Sequence, residues 1–368
     1  MSSHIRRVLL AAPSFAALSF ATLCFAVACS SPGSSNPGLS SDGGDDAGSQ
    51  LTDSGPSAPG DGGQPAGQDA GPRDAGPGEH DAGPGETDAG SGQGIQTVFL
   101  ILEENHNWSD IKGNSEAPYI NSLLALGAHA EAYDNLPGIH PSEPNYLWIE
   151  AGTNFGILAD GVPATDHQST TAHLVTQLDN AGISWKSYQE DISGTDCPLT
   201  AVNNYAPKHN PMVYFDDITN TNSSSSSTCL AHVRPYTELA GDLTAGTVAR
   251  YNFITPNLCD DMHTACGATG NELVDGDNWL KAQVPLILAS SAYKNGGVLF
   301  ITWDESEGGD FPIGFIALSP FAKVNYSNTI PYSHSSLLRS NQEIFKVSPF
   351  LGGAAGATDL SDLFTHFP

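Results

Sequence analysis

Positive charge is what this chain has least of. It holds 13 Lys and Arg against 41 Asp and Glu, a net charge of −28 in 368 residues. Eleven of the acids and three of the bases precede Ile95, which leaves −20 on the remainder. A chain so poor in cations has no basic footprint for nucleic acid, and none is expected as a partner. Broad electrostatic adhesion to anionic lipid is disfavoured for the same reason. An anionic ligand would have to be drawn in locally, by metal ions or a few placed bases. Long apolar runs are also missing. The one near the N-terminus is short and interrupted by Ser14, Ser19 and Thr22, which argues against a retained transmembrane helix. Cysteine is sparse, six in all, and its spacing is not that of a zinc ribbon. The Gly-x-Ser-x-Gly elbow of many serine hydrolases is absent too.

The N-terminus has a basic start (His4, Arg6, Arg7), an apolar and small-residue run from Val8 to Ala28, and then Ala26-Val27-Ala28-Cys29. That is the order of a secretory signal. A cysteine directly after the cleavage point resembles a bacterial lipoprotein signal. Residues 1–29 are therefore expected to be a lipoprotein-type signal peptide, with Cys29 lipidated and anchoring an exported protein at the cell envelope or outer membrane. Plain cleavage after Ala-x-Ala, giving a secreted protein, is the alternative. Residues 30–94 are Gly, Pro, Ser, Asp and Ala, with Asp-Ala-Gly recurring from Asp69 to Asp88. Such a segment cannot bury enough apolar surface to offset its ordering entropy, and is expected to be a disordered tether.

Residues 95–368 are long enough for one folded domain with a sizeable core. Four cysteines fall in it, an even set in an exported protein, and neighbours are expected to pair: Cys197–Cys229 and Cys259–Cys266. Ile95–Leu102 and Val298–Thr302 are continuous apolar runs, as expected of strands buried on both faces. Further strands are expected at Ala130–Tyr133, Ile183–Tyr188, Val248–Ile254 and Phe315–Leu318. Helices are expected at Ala117–Ala128, Pro144–Ala151, Thr171–Asn180, Gly276–Tyr293 and Ser333–Phe345. Strands alternating with helices imply an α/β fold, a three-layer αβα sandwich around a mostly parallel sheet.

In such sheets ligands sit at the carboxyl ends of the strands. The residues there are Glu103-Glu104-Asn105-His106, His140-Pro141-Ser142, Pro256 to His263, Trp303-Asp304-Glu305 and Ser333-His334-Ser335. Each alone has an ordinary reading: Ser142 as a helix N-cap, the histidines as hydrogen bonders, the acids as solvated strand ends. Their shared placement on one rim points elsewhere. Carboxylates and neutral imidazoles together bind divalent metals. A serine hydroxyl needs a base or a metal to become a nucleophile. A helix opening just after Ser142 offers backbone N–H groups to a phosphoryl oxygen, with Asn145 beside them. The residues alone thus favour a metal-dependent hydrolase over a serine esterase using Ser142, a histidine and an aspartate. A non-enzymatic surface adhesin accounts for the anchor and tether but not for the rim.

The order EENH (Glu103–His106), HPSEPNY (His140–Tyr146), YNFITPNLCDDMH (Tyr251–His263), TWDE (Thr302–Glu305) and YSHSSLLR (Tyr332–Arg339) resembles the bacterial phosphoesterase family. That family includes acid phosphatases, phosphatases acting on phosphoinositides and phospholipase C-like enzymes, within the alkaline phosphatase superfamily. WKSYQED (Trp185–Asp191) and YAPKHNPMVYF (Tyr205–Phe215) extend the resemblance. It implies an alkaline phosphatase-like fold and an acid phosphatase-like phosphomonoesterase, with a phospholipase C-type diesterase as the alternative. Its substrate would be a small phosphate ester or a phospholipid headgroup, and the chain a monomer. Ser142 matches the nucleophile, which would form a phosphoserine. Glu104, Asp261, His263, Asp304, Glu305 and His334 match metal-binding positions, for Zn, Mn, Ca or Mg, with Asp260 the alternative to Asp261. Glu305 departs from the aspartate or histidine common there. Asn105 matches a phosphate contact, and Lys208 and His209 would face the phosphate or leaving group. With Pro368 soon after the last expected helix, no lipid-binding module is expected, which favours the phosphatase.

Overall fold

The computed structural model describes residues 94–368; the expected signal, the Cys29 anchor and the tether up to residue 93 lie outside the described residues. Among the described residues ten strands are formed: β1 Thr97–Glu103, β2 Ala128–Ala130, β3 Tyr133–Asp134, β4 Trp185–Gln189, β5 Val233–Pro235, β6 Tyr251–Thr255, β7 Gly297–Trp303, β8 Phe315–Leu318, β9 Tyr326–Asn328 and β10 Tyr332–Ser333. Eight of them make one sheet in the order β5-β4-β6-β1-β7-β8-β2-β9. All pairings are parallel except those of β8, which runs against β7 and β2. β1 and β7 lie side by side with Ile101 opposite Ile301, and every residue of both is buried. Their apolar sequences are long enough to fill both faces, so they take the centre. β3 and β10 form a separate parallel pair.

Helices cover the sheet in two groups, completing the three-layer sandwich. Ser142–Ala151, Leu174–Asn180 and His334–Phe345 pack on one another, and Pro118–Leu123, Leu239–Ala245, Ser291–Lys294 and the long Glu272–Ala289 form the second set. Among the described residues no helix is long and apolar enough to cross a membrane. Both expected disulfides are present, Cys197–Cys229 and Cys259–Cys266.

Several boundaries differ from the sequence pattern for local reasons. The helix expected over Ala117–Ala128 stops at Leu123, and Leu126 is exposed rather than inward. Gly127 packs so close to β8 that a Cβ would sit 2.3 Å from the Ala317 carbonyl oxygen, which turns the chain into β2. The strand expected at Ala130–Tyr133 is consequently split between two sheets, as β2 and β3. The long helix starts four residues early because Asn271 Oδ1 accepts from Val274 N at 3.1 Å. It breaks at Ser290, whose Oγ accepts from Tyr293 N at 3.1 Å to open a new short helix.

The Leu174–Asn180 helix begins three residues later than expected, at a clasp that pins its first turn. His173 is fully buried, with Nδ1 3.0 Å from Glu150 Oε1 and Nε2 3.1 Å from Asp217 Oδ1. Burial alone would push the imidazole down, but the hydrogen bonds of Asp217 and Glu150 outweigh it and carry its pKa from the ordinary 6.5 up to about 9. A folded-state pKa raised in this way stabilises fully below about pH 6.5, and the contribution is lost as pH rises through about 9. Urea titrations of the wild type and His173→Gln therefore differ most near pH 6 and converge toward pH 10. A gap that widens at high pH would contradict the clasp.

Candidate active site

β1 ends in Glu103, and the next residue, Glu104, turns into the space above the sheet. Ser142 opens a ten-residue helix whose N-cap is Pro141, so its side chain is not spent on capping. It is 1 % exposed, and its Oγ donates to Glu104 Oε2 at 2.9 Å. Tyr146, one turn further along the same helix face, donates from its hydroxyl to Glu104 Oε1 at 2.6 Å. The i, i+4 spacing of Ser142 and Tyr146 thus presents two hydroxyls to one carboxylate.

A second wall comes from the segments around His209 and Asp261. The His209 ring stacks on Tyr146, with centroids 5.1 Å apart. Its Nε2 lies 3.2 Å from Glu104 Oε1, and its Nδ1 lies 3.2 Å from Asp261 Oδ2. Neither His209 Nε2 nor Asp261 Oδ2 has a well-aligned hydrogen bond, although both are buried. Asp261 Oδ1 accepts from the backbone N–H of His263 at 2.8 Å. Glu104, His209 and His263 bring ligand atoms within 4.8 Å of one another. The loop carrying Asp261 and His263 is closed by Cys259–Cys266, and Met262 anchors it from below, its Sδ 3.4 Å from Trp303 Nε1.

The third wall is the end of β7. Asp304 Oδ1 accepts from Asn105 N at 3.3 Å, while Oδ2 is buried without a partner. The Asn105 amide, its NH₂ turned toward the acids, lies 3.0 Å from both Glu104 Oε2 and Asp304 Oδ1. Asn105 holds this bridge at φ +25°, a strained conformation that asparagine tolerates better than most residues. Glu305 is hydrogen-bonded to His140 Nδ1.

The electrostatics follow from packing so many acids out of water. Burial, then the Asp304 charge, raises Glu104 well above the usual carboxylate range. Burial and Asp304 likewise raise Asp261, against the His263 N–H bond that opposes them. Burial and then Glu305 push Asp304 up to about 8. Burial and then Asp160 push Glu305 up to about 7. His209 is driven the other way by burial, Lys208 and His263, and is neutral, as a metal ligand must be. Lys208 stays charged, because Asp160 and the acids beyond it outweigh its burial. Four carboxylates facing one ammonium, with orphaned oxygens on Asp304 and Asp261 and an orphaned nitrogen on His209, fit a divalent cation.

Two expected residues do not join this group. His334 has both ring nitrogens engaged, Nδ1 3.1 Å from Tyr133 Oη and Nε2 against the Asp304 carbonyl oxygen, so it braces the β7 end instead of facing the cluster. Burial holds its pKa down at about 4. Asn145 donates its amide to the Ile139 and Pro141 carbonyls at 2.9 and 3.1 Å, fixing the approach to Ser142 rather than reaching toward a phosphate. His209, expected beside the leaving group, sits among the ligand candidates. Tyr146 and Asp160 were not anticipated; the four-residue spacing from Ser142 was the available signal for Tyr146.

The phosphoesterase family model matches residues 114–348. The chain belongs to the phosphoesterase family. Glu104 and Asn105 precede the matched span, and a second alignment is longer. It is with the phosphatidylinositol-3-phosphatase of Mycobacterium tuberculosis, 30 % identical over 271 residues, 73 % of this chain and 82 % of that one. An acid phosphatase of Aspergillus fumigatus is 32 % identical over 217 residues, 56 % of this chain. The chain spans only 44 % of that fungal enzyme. Among solved structures, a glycosaminoglycan-metabolism protein of Bacteroides thetaiotaomicron shares the fold at 9 % identity and a TM-score of 0.50, over 74 % of this chain and 82 % of that one. This phosphoesterase is accordingly a phosphoric ester hydrolase on a three-layer α/β fold.

If the acids of this phosphoesterase are built to hold a cation, binding one must stabilise the fold. Zn²⁺ or Mn²⁺ at about a hundredfold excess over Kd adds about 2.7 kcal/mol. Thermal melts of the full-length protein are expected to rise with added metal, and the rise to vanish in Glu104→Gln. A melting temperature unmoved by any divalent ion in the wild type would contradict the reading.

Proposed function

We propose that the protein is an exported, acid phosphatase-like phosphomonoesterase that works through Ser142. The observation that carries this is the Ser142 Oγ–H bond to buried Glu104 at a helix N-terminus. Among the described residues no histidine is hydrogen-bonded to Ser142 Oγ, which speaks against an esterase triad. Glu104, His209, Asp261, His263, Asp304 and Glu305 are the residues that would hold divalent metal, and the mixed carboxylate and imidazole set suits Zn²⁺ or Mn²⁺. Bound there, a metal lowers the pKa of the serine hydroxyl and offsets phosphoryl charge.

The chain's own groups supply the rest. Glu104 fixes the direction of Ser142 Oγ and is itself held by the Asn105 amide on one oxygen and the Tyr146 hydroxyl on the other. The Ser142 N–H at the start of the Ser142–Ala151 helix and the Lys208 ammonium, which spends one of its three N–H groups on Asp160, offer donors to the phosphoryl oxygens. Ser142 Oγ attacks phosphorus in line, the ester oxygen departs as the alcohol, and water then frees phosphate from phosphoserine. Positioning and electrostatics carry most of the acceleration, as in other phosphoryl transfers. Residues 1–29 would act as the export signal with Cys29 as lipid anchor, and residues 30–94 as the tether to a domain over residues 95–368. The two disulfides suit an oxidising compartment.

The test uses the full-length protein on p-nitrophenyl phosphate, bis-p-nitrophenyl phosphate and p-nitrophenyl acetate. The monoester is expected to turn over, and Ser142→Ala to lose about a thousandfold or more with its melt preserved. Diester turnover alone would favour the phospholipase C-type reading, and acetate turnover alone an esterase. Near-wild-type activity in Ser142→Ala would remove the nucleophile.

A further inference from the structure

Asp160 lies on the irregular stretch between the Ser142–Ala151 helix and a short helix at Pro163–Asp166. Its Oδ1 accepts from the backbone N–H of Glu143 at 3.0 Å, and its Oδ2 accepts from Lys208 Nζ at 2.8 Å. Glu143 is the second residue of the helix that Ser142 opens, so its N–H is one of the donors a helix leaves free at its N-terminus. Lys208 is the ammonium that faces the acid cluster, with Nζ 3.4 Å from His263 Nε2. The two groups best suited to a phosphoryl oxygen beside Ser142 are thus both bonded to one carboxylate. That carboxylate is held in place: Gly161 N donates to Glu143 Oε2 at 2.5 Å, and Tyr214 Oη donates to the Gly161 carbonyl at 3.2 Å. Its charge reaches into the site, where it is the main addition to burial in raising Glu305. The Asp160 and Lys208 side chains are 30 % and 20 % exposed, so solvent and ligand can reach the pair.

We propose that Asp160 is a specificity-determining residue: its carboxylate occupies the anion donors of Glu143 and Lys208, opposes doubly charged phosphate there, and leaves singly charged esters comparatively favoured. The inference rests on Ser142 being where phosphorus reacts. Repulsion grows with the product of the charges, so a dianionic monoester meets about twice the opposition a diester does. Moving the carboxylate aside instead gives up two charge-assisted hydrogen bonds.

Two measurements on the full-length protein, each with the same divalent ion present, decide it. Inorganic phosphate is titrated calorimetrically into Ser142→Ala and into Ser142→Ala/Asp160→Asn, above the second pKa of phosphate. In the Ser142 background, KM and kcat of Asp160→Asn are measured on p-nitrophenyl phosphate and bis-p-nitrophenyl phosphate. Asp160→Asn is expected to tighten phosphate about tenfold and to lower KM for the monoester alike, with KM for the diester lowered only about threefold. Asp160→Ser gives the same direction and guards against a folding defect, read by circular dichroism. Weakened or unchanged phosphate binding, no phosphate binding to either protein, or a joint loss of kcat on both esters would overturn it; the last would make Asp160 a mere holder of Lys208. Wild type that hydrolyses neither ester would count against the Ser142 reading, while the phosphate titration would still decide Asp160.

Discussion

Four carboxylates share a space from which water is excluded, and the rest of the site is arranged around that constraint. Glu104, Asp261 and Asp304 are fully buried and Glu305 nearly so, with Lys208 the ammonium among them. Acids so placed either take up protons or share a cation. The neighbours of the cluster fit the second state. Asn105 bridges two of the acids at the cost of a strained backbone, Tyr146 ties one oxygen of Glu104, and His209 is kept neutral between Glu104 and Asp261. Ser142 enters this arrangement as a donor to the same carboxylate, which couples the orientation of its hydroxyl to the ionisation of the cluster.

The fold delivers these groups by simple means. The central strands β1, β6 and β7 are parallel, so their carboxyl ends open on one side of the sheet, and Glu104, Asp261 and Asp304 all follow there. The helix that Ser142 opens begins beside the end of β1, where Ser142 Oγ meets Glu104. The loop with Asp261 and His263 has no regular structure of its own. The disulfide that closes it and the Met262 anchor limit its freedom before any ligand binds, as a site built for close geometry requires.

How much of this could be read from the residues depended on where periodicity exists. The buried strands β1, β7 and β8 were legible because continuous apolar runs admit few alternatives, and Phe315–Leu318 matches the expected bounds. β5 and β9 were not, since both are three-residue edge strands too short to carry a pattern. In the site, Glu104 and Asp304 stood out because they directly follow the buried strands β1 and β7, and Asp261 and Ser142 because they lie on the loops beyond β6 and β3. Sequence motifs placed His334 and Asn145 near the chemistry, but not which way their nitrogens turn, and both serve as braces. Asp160 gave no signal at all. It lies on an irregular loop, and only the folded chain brings it to Lys208, 48 residues away.

The central claim is that Ser142 itself carries the phosphoryl group. The most direct test is to quench the full-length enzyme in acid during turnover of a phosphate monoester and map the phosphorylated peptide by mass spectrometry. The account predicts one phosphoryl group on the peptide containing Ser142, absent when divalent ions are chelated beforehand. A phosphoryl group on His209 or elsewhere, or an enzyme that turns over rapidly with no trapped phosphoprotein at any quench time, would contradict it.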